Sequence, residues 1–216
     1  MTGLVRNAML LTVGGLLAAS AAMAGVPSAT NSSTPACVPL VGNLAGVPDA
    51  TAGAISITVR DLANVPMANA SVVIDLIGCT DLSICSDQLD LAATVNCGSK
   101  TTRKFTDALG VVSFTVLGGS NGSGLATTLA GGAKIYANGT LLASLTAYAY
   151  DLDGTSGVGA GDLSAWLGDF GSGFAYGRSD FDCSGGVGAG DLSFWLTEFG
   201  AGTSAASCPT GLGVCP

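Results

Sequence analysis

The sequence predicts a mainly β chain, a sandwich of short strands followed by a small pair of helices. Three observations carry that expectation. Between residues 50 and 149, short β-branched and aromatic runs are separated by turns containing glycine and asparagine. After residue 150 a stretch of 23 residues is written twice, 29 residues apart, and each copy ends in an apolar pattern of helical period. Ahead of both lies a short apolar leader, residues 8–22, followed by a segment with no period.

At the N-terminus, Arg6 lies in a basic stretch before the apolar run, and Ala22-Met23-Ala24 forms a small-residue cleavage pattern before Gly25. Residues 1–24 therefore predict a signal peptide and a secreted, extracellular protein, with surface association also open. No later stretch approaches the roughly 20 apolar residues of a membrane helix, so no membrane span is expected after cleavage. Residues 25–49, rich in Ser, Thr, Pro, Ala and Gly, predict a linker or irregular lead-in.

Residues 50–149 supply the strands of the sandwich: ISITVRD (55–61), SVVIDL (71–76), LAATV (91–95), VVSFTVLG (111–118), AKIYAN (133–138) and LLASLTAYAY (141–150). The runs ITVRDLANVPMANASVVI and FTDALGVVSFTV are more specific, because an Asp-containing turn leads into an alternating strand. In these runs the chain resembles bacterial immunoglobulin-like domains of the invasin/intimin type, which implies an immunoglobulin-like β-sandwich.

All seven cysteines (37, 79, 85, 97, 183, 208 and 215) lie beyond the cleavage pattern, and export makes disulfides the expected state. Three fall in CTDLSICSDQLDLAATVNC, read as a pinned loop, where Cys79 and Cys85 are close enough to pair. Cys37 is available to tie to the next domain, and Cys183 with Cys208 or Cys215 to staple the tail at 203–216. The odd number leaves at least one thiol. Zinc is a weak rival, since the chain has no C-x-x-C pair and no histidine.

The duplicated region spans residues 150–202. Between 151–173 and 180–202, fifteen of twenty-three positions are identical. The second half of each copy places Leu163, Trp166, Leu167 and Phe170, or Leu192, Trp195, Leu196 and Phe199, on one helical face. Gly171 and Gly200 are in place to stop each helix. A helix this short does not stand alone, so the two faces are expected to bury each other, with the tryptophans as core and sugar stacking as the rival reading.

The first half of each copy is acidic. The region holds eight acids against one base, Arg178, in a chain of net charge −8. Counted from the first aspartate, one loop offers Asp151, Asp153, Thr155, Gly157 and Asp162 at positions 1, 3, 5, 7 and 12; the other offers Asp180, Asp182, Ser184, Gly186 and Asp191. These are the ligand offsets of a calcium loop, with side-chain oxygens at 1, 3, 5 and 12 and a backbone carbonyl at 7. Ca²⁺ is therefore the expected ion.

Two such loop-plus-helix units in tandem, with Asp at position 12, resemble a type I dockerin. That resemblance implies a small α-helical, EF-hand-like module that binds one Ca²⁺ per repeat and lacks the incoming helix of each hand. It also implies a cohesin-like or cell-surface partner, and a place among components of extracellular polysaccharide degradation, with polysaccharide as a further possible partner. Position 5 carries a hydroxyl and position 9 a glycine (Gly159, Gly188), so each loop keeps three carboxylates and weaker binding than a full loop is expected. The alternative is a surface or structural protein in which calcium only stabilises.

Catalysis is not expected. The absence of histidine removes Ser-His-Asp and Cys-His arrangements. The GVGAG runs at 157–161 and 186–190 lie inside acidic loops that would repel phosphate. A basic footprint for nucleic acid is missing.

Overall fold

The computed structural model describes residues 25–44, 46–121, 131–155, 157–172, 177–201, 208 and 212–215. The expected signal peptide, residues 1–24, lies outside them. In chain order the elements are β1 (Cys37–Val41), β2 (Asn43–Leu44), β3 (Val47–Pro48), α1 (Ala50–Gly53), β4 (Ala54–Thr58), β5 (Ser71–Asp75), β6 (Leu82–Cys85), β7 (Thr94–Asn96), β8 (Thr101–Phe105), β9 (Val111–Ser120), β10 (Ala133–Ala137), β11 (Thr140–Ala149), α2 (Ala160–Ser172), α3 (Ala189–Ala201) and β12 (Val214–Cys215). The protein is mainly β, as its short alternating runs predict.

Among the described residues ten strands form one curled sheet in the order β12-β6-β9-β1-β11-β10-β5-β8-β7, with β4 paired to β9. β4 and β5 are not hydrogen-bonded neighbours, yet Ile55 and Ile57 of the first share a core with Val72 and Ile74 of the second. The curl brings them together. β4, β5 and β10 alternate buried and less buried positions, as strands with one face on a core must.

Two turns use the same device to enter the sheet. The Asp61 carboxylate accepts from the N–H groups of Ala63 and Val65, both at 2.9 Å, and Asp107 accepts from Leu109 at 2.8 Å and Val111 at 2.9 Å. These are Asx turns. Gly110 closes the second with φ +75, and a Cβ there would run into the Val59 carbonyl oxygen.

The segment expected to be an irregular lead-in behaves differently. Cys37–Val41 is an interior strand, parallel to both β9 and β11 and buried at every position. Its two faces enter two different cores. Val38 and Leu40 point into the main core enclosed by the curled sheet, while Cys37 and Val41 point the other way. β11 divides likewise: Ala147 and Ala149 face inward, whereas Tyr148 and the following Tyr150 and Leu152 face outward.

That outward face is covered by the duplicated segment. Trp166 of α2, Trp195 of α3 and Phe181 close a second apolar cluster over Tyr148, Tyr150 and Leu152. Phe181 stacks on Tyr150 at 5.0 Å between ring centroids and meets Tyr148 edge-on at 5.5 Å. The helices therefore do not bury their faces on each other. Each contributes one tryptophan to a shared core on the sheet, and Leu167, Phe170, Leu196 and Phe199 are left about half exposed. Both helices also run past the glycines expected to stop them, to Ser172 and Ala201.

The disulfides are Cys37–Cys183, Cys85–Cys208 and Cys97–Cys215. Cys79 does not pair with Cys85. It is a free buried thiol that burial pushes up to about 12. The stretch read as a pinned loop contains strand β6, paired to β9 and β12, and the strand expected at 91–95 is confined to Thr94–Asn96.

Candidate metal centre

The first loop grows directly out of the sheet. β11 ends at Ala149, and two residues later the Asp151 carbonyl accepts from Ser120 N–H at 2.8 Å, fixing the loop to the end of β9. The Asp151 carboxylate then accepts from Gly154 N–H at 2.8 Å. Asp153 accepts from the N–H and hydroxyl of Thr155, at 2.8 and 2.6 Å.

Asp162, the third residue of α2, reaches back across the loop. One of its oxygens accepts from Leu152 N–H at 2.5 Å and Asp153 N–H at 2.9 Å, the other from Gly159 N–H at 2.6 Å. The helix start thus holds both flanks of the loop. As a result, Asp151, Asp153 and Asp162 each offer a carboxylate oxygen, all within 4.8 Å of one another.

The second loop repeats the construction from a different foundation. It begins at a 3-10 turn, Gly177–Ser179, rather than at a strand. Asp191 of α3 accepts from Asp182 N–H at 3.0 Å and Gly188 N–H at 2.7 Å. Asp180 accepts from Ser184 N–H and Gly185 N–H, both at 2.9 Å. Asp180, Asp182 and Asp191 converge within 4.8 Å in turn. The Ser184 hydroxyl lies 3.4 Å from the Gly186 carbonyl oxygen, so the groups at positions 5 and 7 are neighbours here. In the first loop Thr155 instead bonds Asp153, and Gly157 takes a left-handed turn at φ +90.

Four of the six carboxylates are nearly inaccessible: Asp151, Asp162, Asp180 and Asp191 are 5, 1, 4 and 1% exposed. Two unit charges at such separations repel by about 3 kcal/mol at an effective dielectric near 20. Burial adds to the cost of ionising these acids. Burial, with added repulsion from Asp151 and Asp153, pushes the Asp162 carboxyl up to about 6 despite its backbone hydrogen bonds. Burial also raises Asp180, whereas the Ser184 hydroxyl holds the exposed Asp182 below its usual range.

The one base of the region does not relieve this repulsion. Arg178 is buried in a two-pronged pair with Asp169 of α2, Nε to Oδ2 at 2.9 Å and Nη2 to Oδ1 at 3.0 Å, and Ser179 adds a third bond to the same carboxylate. A small hard cation among the aspartates would neutralise what Arg178 cannot. Oxygen donors alone, on glycine-rich loops, are the donor chemistry of such an ion.

One residue outside the expected ligand set shapes each cluster. Gly161 and Gly190 stand at position 11, in the first turn of their helices. A Cβ on Gly161 would collide with Asp153 Oδ2, and one on Gly190 with Asp182 Oδ2. These glycines are the space into which the position-3 carboxylate folds. Their identity in both copies was the signal. The Arg178–Asp169 pair was signalled by Arg178 being the lone base of the region. The Cys37–Cys183 link had no local signal, its partners being 146 residues apart.

No protein-family model, no curated protein and no solved structure matches the chain.

Proposed function

We propose that this chain is an exported, non-catalytic calcium-binding protein, in which two tandem loops each hold one Ca²⁺ and fix two short helices to the outer face of a β-sandwich. One observation carries the reading: the same three aspartates converge twice, mostly buried, while the one nearby base is committed elsewhere. Asp151, Asp153 and Asp162 would hold one ion, with Thr155 and Gly157 at positions 5 and 7. Asp180, Asp182, Asp191, Ser184 and Gly186 would hold the other. The ion supplies the positive charge that lets all three carboxylates ionise together. The chain supplies their orientation, through Asp162 and Asp191 clasping both flanks of each loop.

Two further observations support the finer architecture. β1 runs parallel to β11, β11 pairs with β10 and β10 with β5, while β4 pairs with β9. An immunoglobulin-like sandwich packs two layers of strands over one core, and the curl that lays β4 against β5 across a shared core supports that arrangement within a single sheet. Each acidic loop precedes a helix, and what comes before it is a strand or a 3-10 turn. That supports a dockerin-type, EF-hand-like unit without its incoming helix. Three disulfides fit an oxidising, extracellular setting.

Docking to a cohesin-like or cell-surface partner is supported by the exposed apolar residues at matching positions of both helices, Leu167 with Leu196 and Phe170 with Phe199. The second reading, calcium as a stabiliser only, is favoured by Trp166 and Trp195, which make the repeats part of the sheet's own packing. A place in polysaccharide breakdown rests on family resemblance alone.

The test is the metal content of the secreted protein, with calorimetric calcium titration of the wild type and of a double variant, Asp151→Ala with Asp180→Ala. Two calcium ions per wild-type chain and loss of both in the variant are expected. Calcium-indifferent melting of the wild type would sink the assignment.

A further inference from the structure

The geometry points to the Cys37–Cys183 disulfide as the element that sets the second cation loop, making that loop, and not the first, sensitive to thiol–disulfide state. The inference rests on the calcium reading above and adds a means of regulation to it.

Cys183 occupies position 4 of the second loop, between Asp182 and Ser184. Its backbone is left-handed, φ +60. The equivalent residue of the first loop is Gly154, at φ +73. Both loops need the same turn there. Glycine adopts it without steric cost, whereas a residue with a Cβ is disfavoured in it. In the second loop the turn is held covalently. Cys183 is bonded to Cys37, and Cys37 opens β1 with its backbone registered to Thr146 of β11.

The turn aims the donors that orient the ligands. The next two N–H groups, of Ser184 and Gly185, donate to both oxygens of Asp180, and Ser184 N–H also reaches Asp182, each at 2.9 Å. If Cys183 relaxes to negative φ, these donors swing away from the two carboxylates they orient. The first loop has no such dependence. It carries glycine at the turn and continues from β11 through Asp151, whose carbonyl is held by Ser120.

The chemical step is thiol–disulfide exchange with a dithiol. The dithiol gives up two electrons and two protons, the Cys37–Cys183 sulfur–sulfur bond breaks, two thiols form, and the reagent closes to its own disulfide. Linkage then runs both ways: calcium in the second loop favours the disulfide by the same factor by which the disulfide favours calcium.

The experiment uses the full secreted chain carrying Asp151→Ala, which leaves only the second triad intact, titrated with calcium by calorimetry. Replacing the disulfide by Cys37→Ala with Cys183→Ala is expected to weaken binding about tenfold, the scale of one residue's left-handed penalty. Cys37→Ala with Cys183→Gly, which supplies the residue of the first loop, is expected to recover most of that loss. In the unsubstituted chain, thiol trapping in a dithiol buffer should show Cys183 protected by calcium by a similar factor. The inference is overturned if the alanine pair binds within about twofold of its parent, or if the glycine pair is as weak as the alanine pair. A wild-type chain that takes up no calcium overturns the cation reading, and this inference with it.

Discussion

Replacing Gly161 with alanine should move stability in opposite directions with and without calcium. Gly161 is exposed and helical, and a Cβ at its position meets only the far end of a flexible side chain, the Asp153 carboxylate. Without metal, alanine removes the glycine penalty of about 0.5–1 kcal/mol and evicts one like charge from beside Asp162. For a chain of this size that amounts to a rise in Tm of about 1–4 °C in chelator. With calcium, the evicted Asp153 is one of three ligand carboxylates. A tenfold loss of affinity removes about 1.4 kcal/mol of calcium-linked stability, so the calcium-induced rise in Tm should shrink by about 3–5 °C. Scanning calorimetry in EDTA and in millimolar calcium measures both quantities, and Gly190→Ala provides the same test of the second loop. A variant destabilised in EDTA, or one whose calcium response equals the wild type's, would refute the steric argument.

In the metal-free protein Asp162 is raised from an ordinary carboxylate value to about 6. A group whose pKa is raised on folding favours the fold while protonated, so this contribution is complete below about pH 4 and is lost as pH climbs through 6. Its size is at most about 3 kcal/mol, and urea unfolding in chelator from pH 4 to 7 should show a decline that Asp162→Asn abolishes. An unchanged slope in that variant would mean that other groups carry the effect. Arg178→Ala should cost about 3–5 kcal/mol, because it strands the buried Asp169 carboxylate, 5% exposed, without its partner. Denaturant midpoints measure it, and a loss below about 1 kcal/mol would show that solvent reaches Asp169.

The local features of the fold were legible and the distant ones were not. The runs at Ser71–Asp75 and Ala133–Ala137 have one face on the main core, so period-two alternation marks them. β1 shows no alternation because both its faces are covered, and Pro39 in its middle argues against a strand. β8, with sequence TTRKF, is too polar to stand out; it pairs along β5 with Thr102 buried. The two aspartate triads were readable since their spacing is short and the loop itself brings them together. The helix faces were misread for a physical reason. Amphipathicity states that a face will be covered, not by what, and the cover proved to be the outer side of β1 and β11.

That cover gives a cation at the first loop a route to the sheet. In an antiparallel sheet with one face on a core, the outward positions of a strand are commonly polar and solvated. Here Tyr148, Tyr150 and Leu152 line the outward side, and Leu152 stands between the clustered carboxylates of Asp151 and Asp153. Leu152 is itself clasped, its N–H bonded to Asp162 while its side chain lies in the second core. Loss of ionised Asp162 geometry therefore disturbs a ligand loop and a core residue together. The Asp151 carbonyl extends the same connection to β9 through Ser120. Calcium at this loop would accordingly stabilise the ends of two strands as well as one helix, whereas calcium at the second loop would reach the sheet through Phe181 and the Cys37–Cys183 bond. The two aspartate triads are alike but rest on different foundations, which is why the same substitution in each should not have the same effect on the sheet.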